Sequence, residues 1–133
     1  MNAGRATRVV LWLVVLLAAG LLAGCGRGSQ VLRADDSGSE ATLEPGETVT
    51  LRLESNPTTG YAWEVRGLEG QNVVTLVDQS YEADSKLLGS GGVDTITFKA
   101  ANAGEVTVEL VYRRSWETDV APIKSVSYTL VVR

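Results

Sequence analysis

Residues 48–66 read Thr48-Val49-Thr50-Leu51-Arg52-Leu53-Glu54-Ser55-Asn56-Pro57-Thr58-Thr59-Gly60-Tyr61-Ala62-Trp63-Glu64-Val65-Arg66. Val49, Leu51 and Leu53 alternate with Thr48, Thr50 and Arg52, and Tyr61, Trp63 and Val65 alternate with Ala62, Glu64 and Arg66. A period of two places each apolar set on one face of an extended strand. Between the two runs lies turn chemistry. Pro57 fixes one backbone angle in advance, and Gly60 permits a positive φ. The stretch therefore predicts strand, stiff bend, strand, and the bend is longer and more particular than chain reversal alone requires.

The same period continues outward from this pair. Val73 to Val77 is a short apolar strand candidate. Ile96 and Phe98 alternate with Thr95, Thr97 and Lys99. Val106, Val108, Leu110 and Tyr112 alternate with Thr107, Glu109 and Val111. Val126, Tyr128, Leu130 and Val132 alternate with Ser125, Ser127 and Thr129. Turn residues punctuate the runs at Pro45-Gly46, Asn56-Pro57, Gly89 to Gly92 and Asn102 to Gly104. No stretch carries a helical stripe. Strands are expected over 48–54, 61–67, 73–78, 93–100, 105–113 and 124–132. Six or seven such strands in about 95 residues suggest an all-β, immunoglobulin-like antiparallel β-sandwich, because each one-sided strand must bury its apolar face against a second sheet. A small barrel is the alternative. Trp63 is expected to fill the centre of the core.

If successive strands reverse direction, the loops at 56–60, 86–92 and 114–122 share one end. The opposite end carries ordinary polar turns at 67–72 and 101–104. The shared end carries Asn-Pro-Thr-Thr-Gly, then Leu87-Leu88-Gly89-Ser90-Gly91-Gly92, then Arg113-Arg114-Ser115-Trp116. Trp and Arg at a loop tip are favoured anchors at interfaces, and three adjacent loops make a composite surface as antibody loops do. The structural alternatives are a simple turn at 56–60, a flexible hairpin loop at 89–92 and partial burial of Trp116. Arg113 reads as cover for a strand edge, and Glu82, Asp84, Glu117 and Asp119 as a solvated surface.

The N-terminus has a different chemistry. Arg5 and Arg8 precede an apolar run from Val9 to Ala19, followed by Leu22-Ala23-Gly24-Cys25. A charged start, an apolar middle and small residues before a cleavage point form a secretory signal. The run is shorter than the ~20 residues of a spanning helix, the competing reading. Cys25 after Leu-Ala-Gly resembles a bacterial lipobox, which implies cleavage before Cys25, thioether lipidation of its sulfur and acylation of the new N-terminus. The expected organisation is a signal peptide over 1–24, lipidated Cys25 and a flexible tether over 25–39, and a folded domain over 40–133. A partly ordered first strand around Val31-Leu32 is the alternative for the tether. The expected location is the cell envelope, lipid-anchored outside the cytoplasmic membrane.

Composition narrows the chemistry. Cys25 is the single cysteine and histidine is absent, so an intrachain disulfide, the usual Cys/His zinc sites and Ser-His or Cys-His nucleophile pairs are excluded. Loss of Arg5 and Arg8 leaves 10 of the 12 basic residues against all 16 acidic ones, a net charge of −6. That balance disfavours nucleic acid, whose phosphates need a basic face. No cofactor or metal is expected. No carboxylates are visibly paired or desolvated for acid–base work, so an enzyme is not expected.

Asn56-Pro57-Thr58-Thr59-Gly60-Tyr61, Gly89-Ser90-Gly91-Gly92 and Arg114-Ser115-Trp116 occur in this order at plausible spacing. They resemble the three loop motifs of the chagasin family, protein inhibitors of papain-like cysteine proteases. The resemblance covers roughly residues 40–133. Its first motif is quite specific, its glycine motif weak, and its third has Ser115 where the family usually has proline. The resemblance implies an immunoglobulin-like fold whose three loops form a wedge entering the protease cleft. It implies that Asn56 to Gly60 sit over the catalytic pair of the target, with Thr58 and Thr59 in close contact. Gly91 and Gly92 would let the second loop approach the cleft backbone. Trp116 would pack on an aromatic wall, with Arg114 steadying the loop or pairing with an acidic rim. A monomer is expected, with a papain-like cysteine protease as partner. The reading from a different class is an envelope adhesion or assembly module using the same loop end.

Overall fold

The computed structural model describes residues 28–133. The expected signal peptide over 1–24 and the expected lipidation of Cys25 fall outside the described residues. Eight strands form two four-stranded sheets: β1 (Ser29–Arg33), β2 (Glu40–Leu43), β3 (Thr48–Ser55), β4 (Ala62–Arg66), β5 (Val74–Ala83), β6 (Gly92–Ala100), β7 (Gly104–Arg113) and β8 (Lys124–Val132). The strand order is β1-β3-β6-β5 in one sheet and β2-β8-β7-β4 in the other. The sandwich expected from the alternation is the observed architecture.

The alternation is what closes the sandwich. Along β7 the residues Val106, Val108, Leu110 and Tyr112 are buried, and along β8 so are Val126, Tyr128, Leu130 and Val132. They meet Val49, Leu51 and Leu53 of β3 and Ile96 and Phe98 of β6 in one core. Each such side chain contributes roughly 1.5–3 kcal/mol on full burial. A one-residue slip in any strand would turn this whole set to solvent. Trp63 is buried as expected, but its indole Nε1–H donates to the Glu54 carbonyl at 3.0 Å. That carbonyl is one residue from the end of β3, so Trp63 roots the loop end rather than the middle of the core.

Two features differ from the sequence reading. The first is the tether. Residues 29–33 are a strand, β1, paired in parallel with β3 from Ser29↔Thr48 to Arg33↔Arg52. The chain then crosses to the other sheet through a 3₁₀ turn at Ala34–Asp36, and β2 pairs in parallel with β8. The crossing is hydrogen-bonded: Gly38 N–H donates to the Ser127 carbonyl at 2.7 Å, and the Tyr128 hydroxyl donates to the Arg33 carbonyl at 2.8 Å. Burial, and secondarily the Asp36 carboxylate, push the Tyr128 hydroxyl up to about 12. The reading of 25–39 as a flexible tether is therefore corrected for residues 29–39, and the alternative of a strand around Val31-Leu32 is the observed one. These two edge pairs, β1–β3 and β2–β8, are parallel, and the other strand pairs are antiparallel.

The second is β5, which runs to Ala83 instead of ending near Asp78. Its register on β6 shifts between Leu76 and Asp78, a bulge that leaves Val77 exposed. The facing sheet ends at the five-residue β4, which leaves most of the ten-residue β5 uncovered. Only Val74 of that strand is buried.

Candidate functional site: a three-loop rim

Strands β3, β5 and β7 run toward one pole, and the loops at 56–61, 84–91 and 114–123 meet there. The first loop is built around Asn56. A single 3₁₀ turn spans Pro57–Thr59, with proline at its start and Gly60 closing it at φ 84°. The Thr59 hydroxyl donates to the Asn56 carbonyl at 2.6 Å, and the Thr58 hydroxyl to Asn56 Oδ1 at 2.6 Å. Both hydroxyl protons are spent inside the loop. Thr58 and Thr59 are nevertheless both exposed on this closed turn. The amide of Asn56 is satisfied from below, by the Tyr112 hydroxyl at 2.9 Å.

The Asn56 side chain bonds in two directions: Oδ1 accepts from Thr58 inside its own loop, and Nδ2 donates to the Gly89 carbonyl at 3.2 Å and thereby ties the first loop to the second. The third loop is tied to the first by Arg114. Its Nε–H donates to the Thr59 carbonyl at 3.0 Å, its guanidinium lies 4.4 Å over the Tyr61 ring, and Nη1 pairs with Glu117 at 3.1 Å. The Trp116 indole lies against Gly60, where a Cβ would collide with Cη2 and sit 3.0 Å from Cζ2. Gly60 is thus glycine for two independent reasons, its left-handed backbone and the ring above it. Trp116 remains 66% exposed, so the indole is offered to solvent on its outer side.

Beneath the rim the aromatic residues form a column. Tyr61 stacks on Tyr112 with centroids 5.4 Å apart, and Trp63 lies 4.9 Å from Tyr112. Arg113, set aside in the sequence reading, braces the third loop by donating to the Glu117 carbonyl at 2.8 Å.

The glycine motif divides. Gly89 and Ser90 belong to the loop: the Ser90 hydroxyl donates to the Ser85 carbonyl at 3.0 Å, and Gly89 has φ 79°. Gly91 is half-buried. Gly92 is different. It lies within β6, paired with Ser55 on one side and Ala83 on the other. A Cβ there would collide with the Glu82 carbonyl oxygen and lie 2.7 Å from the Tyr81 hydroxyl. Within this chain, Gly92 lets two strands approach each other. The residues of the second loop that project are Leu87 and Leu88, the latter fully exposed. Their signal in the sequence is a leucine pair in a Gly/Ser-rich segment outside any alternating run. Among the described residues no set of Cys, Asp and Glu side chains could hold a metal ion.

Residues 42–132 match the family model described as the chagasin family peptidase inhibitor I42. Chagasin of Trypanosoma cruzi is 37% identical over 84 residues, 60% of this chain and 76% of the relative. Amoebiasin-1 of Entamoeba histolytica is 36% identical over 86 residues, 64% of this chain and 82% of the relative. The crystal structure of a cysteine protease inhibitor from Entamoeba histolytica superposes with a TM-score of 0.71 at 25% identity, covering 79% of this chain and 96% of that one. This chain belongs to the chagasin family of peptidase inhibitors and is not an enzyme.

Proposed function

We propose that the protein is a tight-binding inhibitor of papain-like cysteine proteases that occludes the active-site cleft with the three-loop rim. The observation that carries this reading is the cross-linking of the rim: Asn56 to Gly89, Arg114 to Thr59 and Trp116 on Gly60. Loops already joined lose little conformational freedom on docking, so their contacts convert efficiently into affinity. In this reading the closed turn at Pro57–Thr59 sits over the catalytic cysteine and histidine of the target. A turn held by its own hydrogen bonds is not an extended peptide, so it fills the cleft without being threaded through it as a substrate. Leu88 on one side and Trp116 on the other supply apolar surface to the cleft walls, which is where anchor residues contribute most.

Lipidation of Cys25 after signal cleavage would hold this inhibitor at the cell envelope, outside the cytoplasmic membrane. The test is direct: the mature chain carrying Cys25→Ser is titrated against papain, and the rate of substrate cleavage is followed to steady state. Stoichiometric loss of activity is expected. Full papain activity at micromolar inhibitor would sink the proposal and return the rim to the adhesion or assembly role.

A further inference from the structure

We infer that the anchored domain stands on the bilayer by the pole opposite the rim, with the rim facing away from the membrane. The inference rests on lipidation of Cys25, as proposed above, and on where the described chain begins. β1 is parallel to β3, and Ser29 lies beside Thr48, the residue of β3 farthest from the first loop. Gly28 is fixed there, its N–H donating to Glu47 Oε1 at 3.0 Å. Glu47 closes the 44–47 turn, accepting the Glu44 N–H at 2.8 Å through its other oxygen. The chain upstream of Ser29 therefore leaves at the foot. From Cys25 to Ser29 it spans at most about 14 Å when fully extended. Against this, the eight residues of β3 hold the rim about 23 Å above the foot.

The surface chemistry of the two poles differs. The foot consists of the turns at 44–47, 67–73 and 101–103, joined by Gly46 N–H to the Ala100 carbonyl and Ala101 N–H to the Val73 carbonyl, both at 2.8 Å. The exposed side chains of these turns include Glu44 and Glu69, with Arg66, Lys99, Glu105 and Arg133 exposed at the adjoining strand ends, and none of the large exposed apolar residues lies on these turns. Leu87, Leu88, Trp116, Val120 and Ile123 are all on the rim loops. Left unanchored, the rim is the end that an interface would attract. The short covalent link prevents this by placing the polar foot at the headgroups. The acyl chains hold the protein, the foot acts as a spacer, and the wedge is presented to proteases arriving from outside.

The experiment uses the lipidated full-length protein in vesicles of phosphatidylethanolamine and phosphatidylglycerol doped with a nickel-chelating lipid. Because the Cys25 sulfur is consumed by the thioether, an introduced cysteine is the single free thiol. Glu69→Cys marks the foot and Asp119→Cys the rim, each carrying a nitroxide. Headgroup nickel should enhance relaxation of the foot label, while the rim label should match its nickel-free control. Enhancement at the rim, alone or together with the foot, overturns the orientation. Six residues of Gly-Ser inserted after Gly26 should reduce the enhancement at the foot, and an unchanged value would show that the short link is not the cause. Flotation with the vesicles is scored first. If wild type and Cys25→Ser behave alike there, the anchoring reading fails and the orientation with it, whereas flotation with a reversed label pattern overturns the orientation alone.

Discussion

Replacing Gly60 by alanine tests the coupling between the first and third loops. Two costs are separable. The backbone cost comes from φ 84°, a region that costs an L-residue roughly 1–2 kcal/mol. It is present in free and bound protein alike, so it lowers thermal stability by several degrees without itself weakening binding. The second cost is steric. The new methyl would sit 3.0 Å from Trp116 Cζ2 and collide with Cη2. Carbon atoms pack at ~3.5–4 Å, so the indole must retreat by about an ångström or more. The ring is 66% exposed and can move cheaply in the free protein, but a displaced anchor no longer meets its pocket. Gly60→Ala should therefore weaken papain inhibition by about 2 kcal/mol, roughly 30-fold in the inhibition constant. Trp116→Ala should cost a similar amount, with little loss of stability. The double variant should be close to Trp116→Ala alone, because the methyl then has no ring to displace, and a coupling of this size is expected of residues in contact. Inhibition constants of the four proteins complete the cycle. If the two losses simply add, the ring does not transmit the effect and the reasoning fails.

Three other outcomes follow from the structure. Ser115 is the second residue of a turn closed by Glu117 N–H to the Arg114 carbonyl at 3.1 Å, the position that proline favours; Ser115→Pro should raise stability by about 0.4–1 kcal/mol and tighten inhibition modestly, and weaker inhibition would show that the loop changes shape on docking. Tyr112→Phe removes the acceptor for the Asn56 amide and should cost about 1–3 kcal/mol in denaturant unfolding, with faster amide exchange at Asn56. The hydroxyl of Tyr128 is raised from 10.0 to about 12 by burial and then by Asp36; the folded state holds this proton more tightly than the unfolded one, so its contribution is fully present below pH 10 and is lost as pH rises toward 12. Unfolding midpoints across that window should fall in the wild type, and a Tyr128→Phe protein should lack this part of the slope.

Much of the fold was legible in the sequence because side-chain alternation is a property of the local backbone. Val106 to Tyr112 and Val126 to Val132 declare their buried faces without reference to anything distant, and once strands alternate in direction the loops at 56–60, 86–92 and 114–122 must share a pole. The shape of the first loop was also local, since Pro57 and Gly60 restrict and permit angles of their own residues. What the sequence left open depends on partners far along the chain. β1 carries too short a pattern to announce itself and exists because its backbone pairs with β3, 19 residues away from Ser29 to Thr48. Gly92 reads as a loop glycine until two strands close around it. Asn56 finds Gly89 at a separation of 33 residues and Arg114 finds Thr59 at 55. Those contacts appear only when the sandwich has closed, because hydrogen bonds and ring contacts need positions in space, while periodicity needs only the order of residues.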